Sequence, residues 1–246
     1  MSRRVSFTNK QGLTLQGVLH PSPSQTILVM AHGFTGDKDE WGFFTRIAEN
    51  VHVAGFAVLR FDFSGCGESD DCSLTIQQHI SDLSSAIAFA KQEGYSNVFL
   101  YGHSLGGYVS LLHHADAASV IATAPVTNKP RYAWSKRYNQ EQLRELAEHG
   151  RITKNRDKGV RKQIIIDEQM LREREEITPA FLADITCPVL IIHGKQDQAV
   201  PLEDSLEAIM YLSKDSHLEI IPGANHGFDR CWDAVVEQIL SWLRTH

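Results

Sequence analysis

A serine set between two glycines is the feature of this chain best suited to chemistry. Gly102-His103-Ser104-Leu105-Gly106 follows the apolar run Val98-Phe99-Leu100-Tyr101 and opens a stretch compatible with a helix. Strand, sharp turn, helix is the setting of a Gly-x-Ser-x-Gly nucleophile elbow. Such a turn strains the serine backbone and lifts the hydroxyl out of the sheet. The flanking glycines avoid collision with the neighbouring strand and helix. A helix starting just after Ser104 would aim its unpaired N–H groups and positive dipole end where a tetrahedral oxyanion forms. The expected role of Ser104 is that of nucleophile.

A serine hydroxyl is weakly nucleophilic until an imidazole removes its proton, and the imidazole needs a carboxylate to hold its tautomer. With this elbow the expected order along the chain is Ser, then Asp or Glu, then His. Asp197 lies in Gly194-Lys195-Gln196-Asp197-Gln198-Ala199-Val200-Pro201, just past an apolar strand. His226 lies in Pro222-Gly223-Ala224-Asn225-His226-Gly227-Phe228, past the last one. In a parallel sheet both loops emerge on the edge that carries Ser104. Alone, Asp197 could be a turn residue and His226 a surface histidine, but chance does not readily place both. His32-Gly33-Phe34 follows the strand Ile27–Ala31, so the Phe34 N–H is expected to join that of Leu105 as oxyanion donor. His32 is expected to hold its loop by hydrogen bonding, and His103, the variable residue of the elbow, to be structural. None of the remaining histidines cluster at metal-ligand spacing, so neither metal nor cofactor is expected.

These groups need a scaffold, and the hydrophobic pattern supplies one. Val5 to Asn9 and Leu13 to Leu19 read as a hairpin turning at Gln11-Gly12. Ile27–Ala31, Phe56–Phe61, Val98–Tyr101, Ser119–Ala124, Pro188–His193 and His217–Ile221 read as strands, several of them apolar throughout, as in a sheet covered on both faces. Helical spacing runs from Trp41 through Phe44, Ile47 and Ala48, and again through Ile76, Ile80, Leu83, Ile87 and Ala90 to a stop at Gly94. It recurs over Leu105–His113, near Glu203 to Leu212, and from Trp232 to Leu243. Strands alternating with helices imply an α/β fold: a mostly parallel, twisted sheet of about eight strands with helices on both faces. Asp62-Phe63-Ser64-Gly65-Cys66-Gly67-Glu68-Ser69 lacks the third glycine of a dinucleotide fingerprint and reads as a tight structural loop.

One segment breaks the alternation. Residues 127–179 hold more than half of the 24 lysines and arginines, among them Arg131, Arg137, Lys154, Arg156, Lys158 and Arg174, interleaved with acids and aromatics. Gln140–His149 reads as a helix. Arg151-Ile152-Thr153 and Val160–Ile166, flanking Asn155–Gly159, could pair. The expected organisation is a core of residues 1–126 and 180–246 with 127–179 inserted as a cap above the strand ends, where α/β sheets bind ligands. Tyr132, Trp134 and Tyr138 are candidates to line a substrate pocket, with packing inside the cap an equal alternative.

The 246 residues suffice for one large domain, and a net charge of −6 argues against nucleic acid or an anionic membrane as the main partner. The N-terminus turns polar too early for a signal peptide, and no apolar stretch is long enough to span a bilayer. With four scattered cysteines (Cys66, Cys72, Cys187, Cys231), this favours free thiols in a reducing cytoplasm.

The ordered set His32-Gly33-Phe34-Thr35-Gly36, Asp62–Ser69, Gly102–Gly107, His193-Gly194 through Asp197 with Val200-Pro201, and Asn225-His226 resembles the α/β-hydrolase superfamily over most of the chain outside the cap. The His-Gly-Phe-Thr-Gly-Asp-Lys opening and the small cap after the sixth strand are similar to bacterial carboxylesterases of the cinnamoyl or feruloyl esterase type. The resemblance implies Ser104, Asp197 and His226 as triad, with Phe34 and Leu105 as oxyanion hole. The function it implies is a serine carboxylesterase acting on a small-molecule ester, with homodimerisation left open. An aminopeptidase or acyl-peptide hydrolase, with Glu141, Glu145 or Glu173 binding a substrate amine, is the alternative on amides. A non-catalytic binding protein using the charged cap is the third reading.

Overall fold

The computed structural model describes residues 1–157 and 159–246; Lys158, one of the cations of the cap segment, lies outside the described residues. The chain opens with a hairpin of β1 (Arg3–Thr8) and β2 (Thr14–His20). The Asn9 side chain closes it, accepting the N–H groups of Gln11 and Leu13 at 3.0 and 2.9 Å. There follow β3 (Thr26–Ala31), α1 (Phe43–Val53), β4 (Ala57–Phe61), α2 (Ile76–Gln92), β5 (Asn97–His103), α3 (Leu105–Leu112) and β6 (Ser119–Thr123). The inserted segment contains α4 (Gln140–His149), β7 (Arg151–Asn155), β8 (Gln163–Asp167) and α5 (Glu168–Glu175). The chain then returns to β9 (Val189–Gly194), α6 (Leu202–Ala208), β10 (His217–Ile221) and α7 (Trp232–Thr245).

Eight strands form one sheet in the order β1-β2-β4-β3-β5-β6-β9-β10. It is parallel except where β2 pairs antiparallel with β1 and with β4. The apolar runs are explained by alternation across a sheet buried on both faces. In β3, Ile27, Val29 and Ala31 enter one core, beneath α2 and α3. Leu28 and Met30 enter the other, beneath α1 and α7. β9 repeats the pattern, with Val189 and Ile191 on the first side and Leu190 and Ile192 on the second. The cut of α2 is local: Thr75 caps it, its Oγ1 accepting the Gln78 N–H at 3.0 Å.

Three element boundaries differ from the sequence expectation, and one helix is additional to it. Helix α1 begins at Phe43 and not Trp41, because Glu40 and Trp41 both hold positive φ (38° and 55°) and leave the Trp41 ring exposed. Helix α6 stops at Ala208, not Leu212, since Met210 and Tyr211 face solvent and no buried stripe sustains another turn. Strand β8 starts at Gln163, leaving Val160 exposed in the connection. Helix α5 was not expected at all. Only Met170 and Leu171 of its eight residues are buried, too few to show a helical period.

The inserted segment is tied to the core through β7, β8 and α5. Strands β7 and β8 pair antiparallel, Arg151 opposite Asp167 and Asn155 opposite Gln163. Ile152, Ile164, Ile166, Met170 and Leu171 are continuous with the core beneath α2 and α3. The Leu74 N–H donates to the Ile165 carbonyl at 2.8 Å, and Lys154 Nζ donates to Thr35 Oγ1 at 3.1 Å. Glu173 accepts the Ile76 N–H at 2.6 Å, and Glu145 accepts both the N–H and the hydroxyl of Thr153. Those two acids are therefore engaged inside the fold.

Candidate active site

Strand β5 runs directly into α3 through Ser104, whose φ of 54° and ψ of −116° lie outside the ordinary regions for an L-residue. The surrounding backbone holds this strain in place. The Ser104 N–H donates to the Thr123 carbonyl at 2.9 Å, while its own carbonyl accepts from Gly107, Tyr108 and Val126. The neighbouring glycines are required by space: a Cβ on Gly106 would collide with the Ala31 carbonyl, and one on Gly102 with the Gly106 backbone. Leu105 is the first residue of α3, so its N–H has no partner within the helix.

Against the elbow lies the loop after β3. His32 stitches it to the neighbouring loop: its Nδ1–H donates to the Gly33 carbonyl at 2.9 Å, and the Phe63 N–H donates to its Nε2 at 3.1 Å. The Gly33 N–H donates to Oε1 of Glu40 at 2.6 Å. Glu40 is buried beneath the loop, and burial pushes its carboxyl up to about 8 despite that hydrogen bond. A Cβ on Gly33 would stand 3.5 Å from the Ser104 Cβ, so this loop passes directly beside the serine, with Phe34 next along it. The Asp62–Ser69 stretch is a tight loop as expected. Asp62 accepts the N–H of Lys38 (2.7 Å), the N–H of Glu68 (2.9 Å) and the Lys38 ammonium (2.7 Å).

Asp197 and His226 meet at the carboxyl ends of β9 and β10. The His226 Nδ1–H donates to Oδ2 of Asp197 at 2.7 Å, and the N–H groups of Ala199 and Val200 donate to Oδ1 at 2.7 and 2.9 Å. Burial works against the charge on Asp197. The contacts from His193 and His226 outweigh burial and hold the carboxyl well below the usual carboxylate range. His193, at the end of β9, has Nε2 3.4 Å from Asp197 Oδ2 and Nδ1 2.7 Å from Ser205 Oγ. Sequence reasoning missed it, although its spacing of four residues from Asp197 was a signal. His103 packs on the His226 ring, centroids 4.8 Å apart, with Nδ1 3.1 Å from Thr123 Oγ1. Burial pushes His103 down to about 3, with His226 adding to the effect, so it stays a neutral wall. No hydrogen bond joins Ser104 to His226 among the described residues. His103 packs on His226, Gly33 lies beside Ser104 and His103, and the His226 side chain keeps 27% of its surface exposed.

A sequence-family model described as the alpha/beta hydrolase family matches residues 28–238. The chain belongs to that family. Among curated relatives, this alpha/beta hydrolase is 24% identical to the uncharacterized protein YfhR of Escherichia coli K12, over 97% of this chain and 79% of that one. It is also 24% identical to the 2-hydroxy-6-oxo-6-(2'-aminophenyl)hexa-2,4-dienoic acid hydrolase of Metapseudomonas resinovorans, over 89% and 83% of the two chains. The structure of Est1E from Butyrivibrio proteoclasticus with bound ferulic acid superposes with a TM-score of 0.79 at 23% identity, covering 97% of each chain. The alpha/beta hydrolase GrgF from Penicillium gives 0.80 at 22%, covering 100% and 99%. These superpositions are likenesses of fold.

In this hydrolase a cavity of about 350 Å³ opens between the inserted segment and the core. Val126, whose N–H donates to the Ser104 carbonyl, lines it together with residues 198–201 of the Asp197 loop. Of the three aromatics singled out in the sequence, Tyr132 lines this cavity, while Trp134 and Tyr138 stack at 6.2 Å and pack against the core. Cys66 is fully buried, and burial pushes its thiol well up, away from reactivity. No helix among the described residues is long and apolar enough to cross a membrane.

Proposed function

We propose that this hydrolase is a serine carboxylesterase in which Ser104, His226 and Asp197 form the triad and the N–H groups of Phe34 and Leu105 hold the oxyanion. The observation carrying this reading is the 2.7 Å hydrogen bond from His226 Nδ1–H to Asp197, beside a serine held at positive φ in a strand-to-helix turn. With Nδ1 committed to the carboxylate, Nε2 is the free base. The Ser104–His226 hydrogen bond forms as substrate enters, since such contacts tighten only in the enzyme–substrate complex.

The reaction runs in two halves. Ser104 Oγ bonds to the ester carbonyl carbon as His226 takes its proton, and the carbonyl oxygen becomes the oxyanion. The carbon–alkoxy bond then breaks, and His226 returns the proton to the leaving alcohol. Water, deprotonated by His226, attacks the acyl-enzyme. The acid leaves and Ser104 regains its proton. Each oxyanion donor contributes about 3 kcal/mol to the barrier reduction. The segment 127–179 acts as the cap that roofs this cleft, with Tyr132 on its wall. Curated relatives described as a monoacylglycerol lipase and as putative esterases support an ester substrate. The engagement of Glu145 and Glu173 within the fold weighs against amine recognition and so against the peptidase alternative.

The test is turnover of p-nitrophenyl acetate together with labelling by a fluorophosphonate probe. Hydrolysis and a single adduct on Ser104 are expected, both lost in Ser104→Ala. Folded protein that neither turns over the ester nor takes the label overturns the reading.

A further inference from the structure

The cations of the inserted segment are unevenly neutralised. Arg131 pairs with Asp204, Arg161 with Asp71, Arg151 with Glu145 and Arg172 with Glu168. Arg137 and Arg174 have no carboxylate within ion-pair distance among the described residues, and both line the cavity beside Val126 and the Asp197 loop. Arg137 lies over the Tyr132 ring at 5.6 Å and donates to its hydroxyl at 3.2 Å, which fixes its guanidinium at the cavity wall. Arg174 has its Nε shielded from water with no acceptor. Trp134 Nε1 and the Tyr138 hydroxyl are shielded and unpartnered in the same way.

This is a concentration of donors and positive charge on a protein whose net charge is −6. The charges also act on one another: after burial, Arg137 further lowers the pKa of Lys154, and it contributes to lowering that of Arg174. Asp204, the one carboxylate among the described residues lining the cavity, is taken by Arg131, so Arg137 and Arg174 disfavour each other without a counter-ion, and an anion entering the cavity relieves the repulsion while satisfying the donors. Guanidinium groups suit a planar carboxylate, which two forks can grip at once. Val126 on the cavity wall bonds to the Ser104 carbonyl and residues 198–201 of the wall follow Asp197, so a short molecule can carry both the anion and the scissile carbonyl.

We propose that Arg137 and Arg174 bind a carboxylate on the substrate, so that the preferred esters are half-esters of short dicarboxylic acids. This rests on the esterase reading above and names the substrate class for it. The two guanidinium groups select the anion, Tyr132 holds Arg137 in place, and the triad cleaves the ester a few bonds away.

The experiment compares kcat/KM for p-nitrophenyl hydrogen glutarate with that for its neutral methyl ester. Wild type is expected to favour the anion at least tenfold, and the ratio is expected to fall at least tenfold in Arg174→Gln and in Arg137→Gln. Arg137 is exposed, so R137Q tests the point even where R174Q weakens folding. Equal rates on the two esters in wild type, or a ratio unchanged in both variants, overturn the proposal while leaving the esterase reading intact. Glutarate binding to Ser104→Ala protein, measured by calorimetry, does not depend on catalysis. Saturable binding weakened at least tenfold by R137Q supports the anion site even where no ester is turned over. Absent binding, or tighter binding of inorganic phosphate than of glutarate, overturns it.

Discussion

The Gly33 N–H is bonded to Oε1 of Glu40 across 2.6 Å, so a buried carboxyl braces the loop that presents Phe34 to the elbow. Glu40→Ala would leave that N–H buried without an acceptor, a loss of about 1–3 kcal/mol. Glu40→Gln keeps an acceptor. The carboxyl sits at about 8 in the fold against 4.5 ordinarily, so its contribution is complete below pH 4.5 and drains away as pH climbs to 8. The stability of wild type relative to E40Q is expected to fall across that interval and level off above it. Urea denaturation at pH 5, 7 and 9 reads this; a constant difference would contradict it.

Asp197→Asn is expected to keep the fold and to lower kcat about 10⁴-fold, because an amide leaves His226 free to take the wrong tautomer. Ser104→Ala should cost at least as much. Steady-state kinetics on p-nitrophenyl acetate measure both, and a D197N enzyme within tenfold of wild type would show that the carboxylate does not orient the base.

Four histidines are pushed down by burial: His32, His20 to about 4, and His79 and His103 to about 3. Below pH 6.5 the unfolded chain takes up protons there that the fold refuses, so stability is full above 6.5 and declines as acid is added. Each contributes at most about 1.4 kcal/mol per pH unit to that slope. His79 stacks on Phe63 with both ring nitrogens unpartnered. His79→Leu is expected to flatten the slope between pH 6.5 and 4.5, as followed by denaturant midpoints. A slope identical to wild type would rule out His79 as a source.

Two substitutions on α3 should behave oppositely. Gly106→Ala drives a methyl into the Ala31 and His32 carbonyls and is expected to cost about 3 kcal/mol or more. Ser110→Ala removes a fully buried hydroxyl that has no partner and should be neutral or stabilising. Thermal melts of the pair separate the two effects, and equal destabilisation would contradict the packing described for the elbow.

What the sequence could disclose was set by how local each feature is. Ile27–Ala31 and Val189–His193 read as strands because both faces of each are covered, which leaves an unbroken apolar run. Asp197 and His226, whose side chains meet, could be singled out because each lies in the loop just after a readable strand, β9 or β10. Trp41 misled because an apolar period carries no record of where the backbone turns to positive φ. Glu40 stayed hidden because an acid in a loop reads as solvent-facing; its burial depends on room left by Gly33 and Gly36. The meeting of Arg137 with Arg174 depends on how α5 folds back against the residues before α4, a relation between distant stretches with no local pattern.

Strands β6 and β9 lie side by side, yet the whole 127–179 insertion intervenes between them in the chain. The two strands pair in parallel, Val120 beside Val189 and Thr123 beside Ile192, so the chain leaves at the carboxyl end of β6 and re-enters at the amino end of β9, with the insertion as part of that crossover. A crossover has no required length beyond its minimum, so this one can be lengthened, shortened or exchanged between related enzymes without shifting the register of any strand beneath it. The storey above the sheet can thus be rebuilt while the strands that carry Ser104, Asp197 and His226 stay where they are.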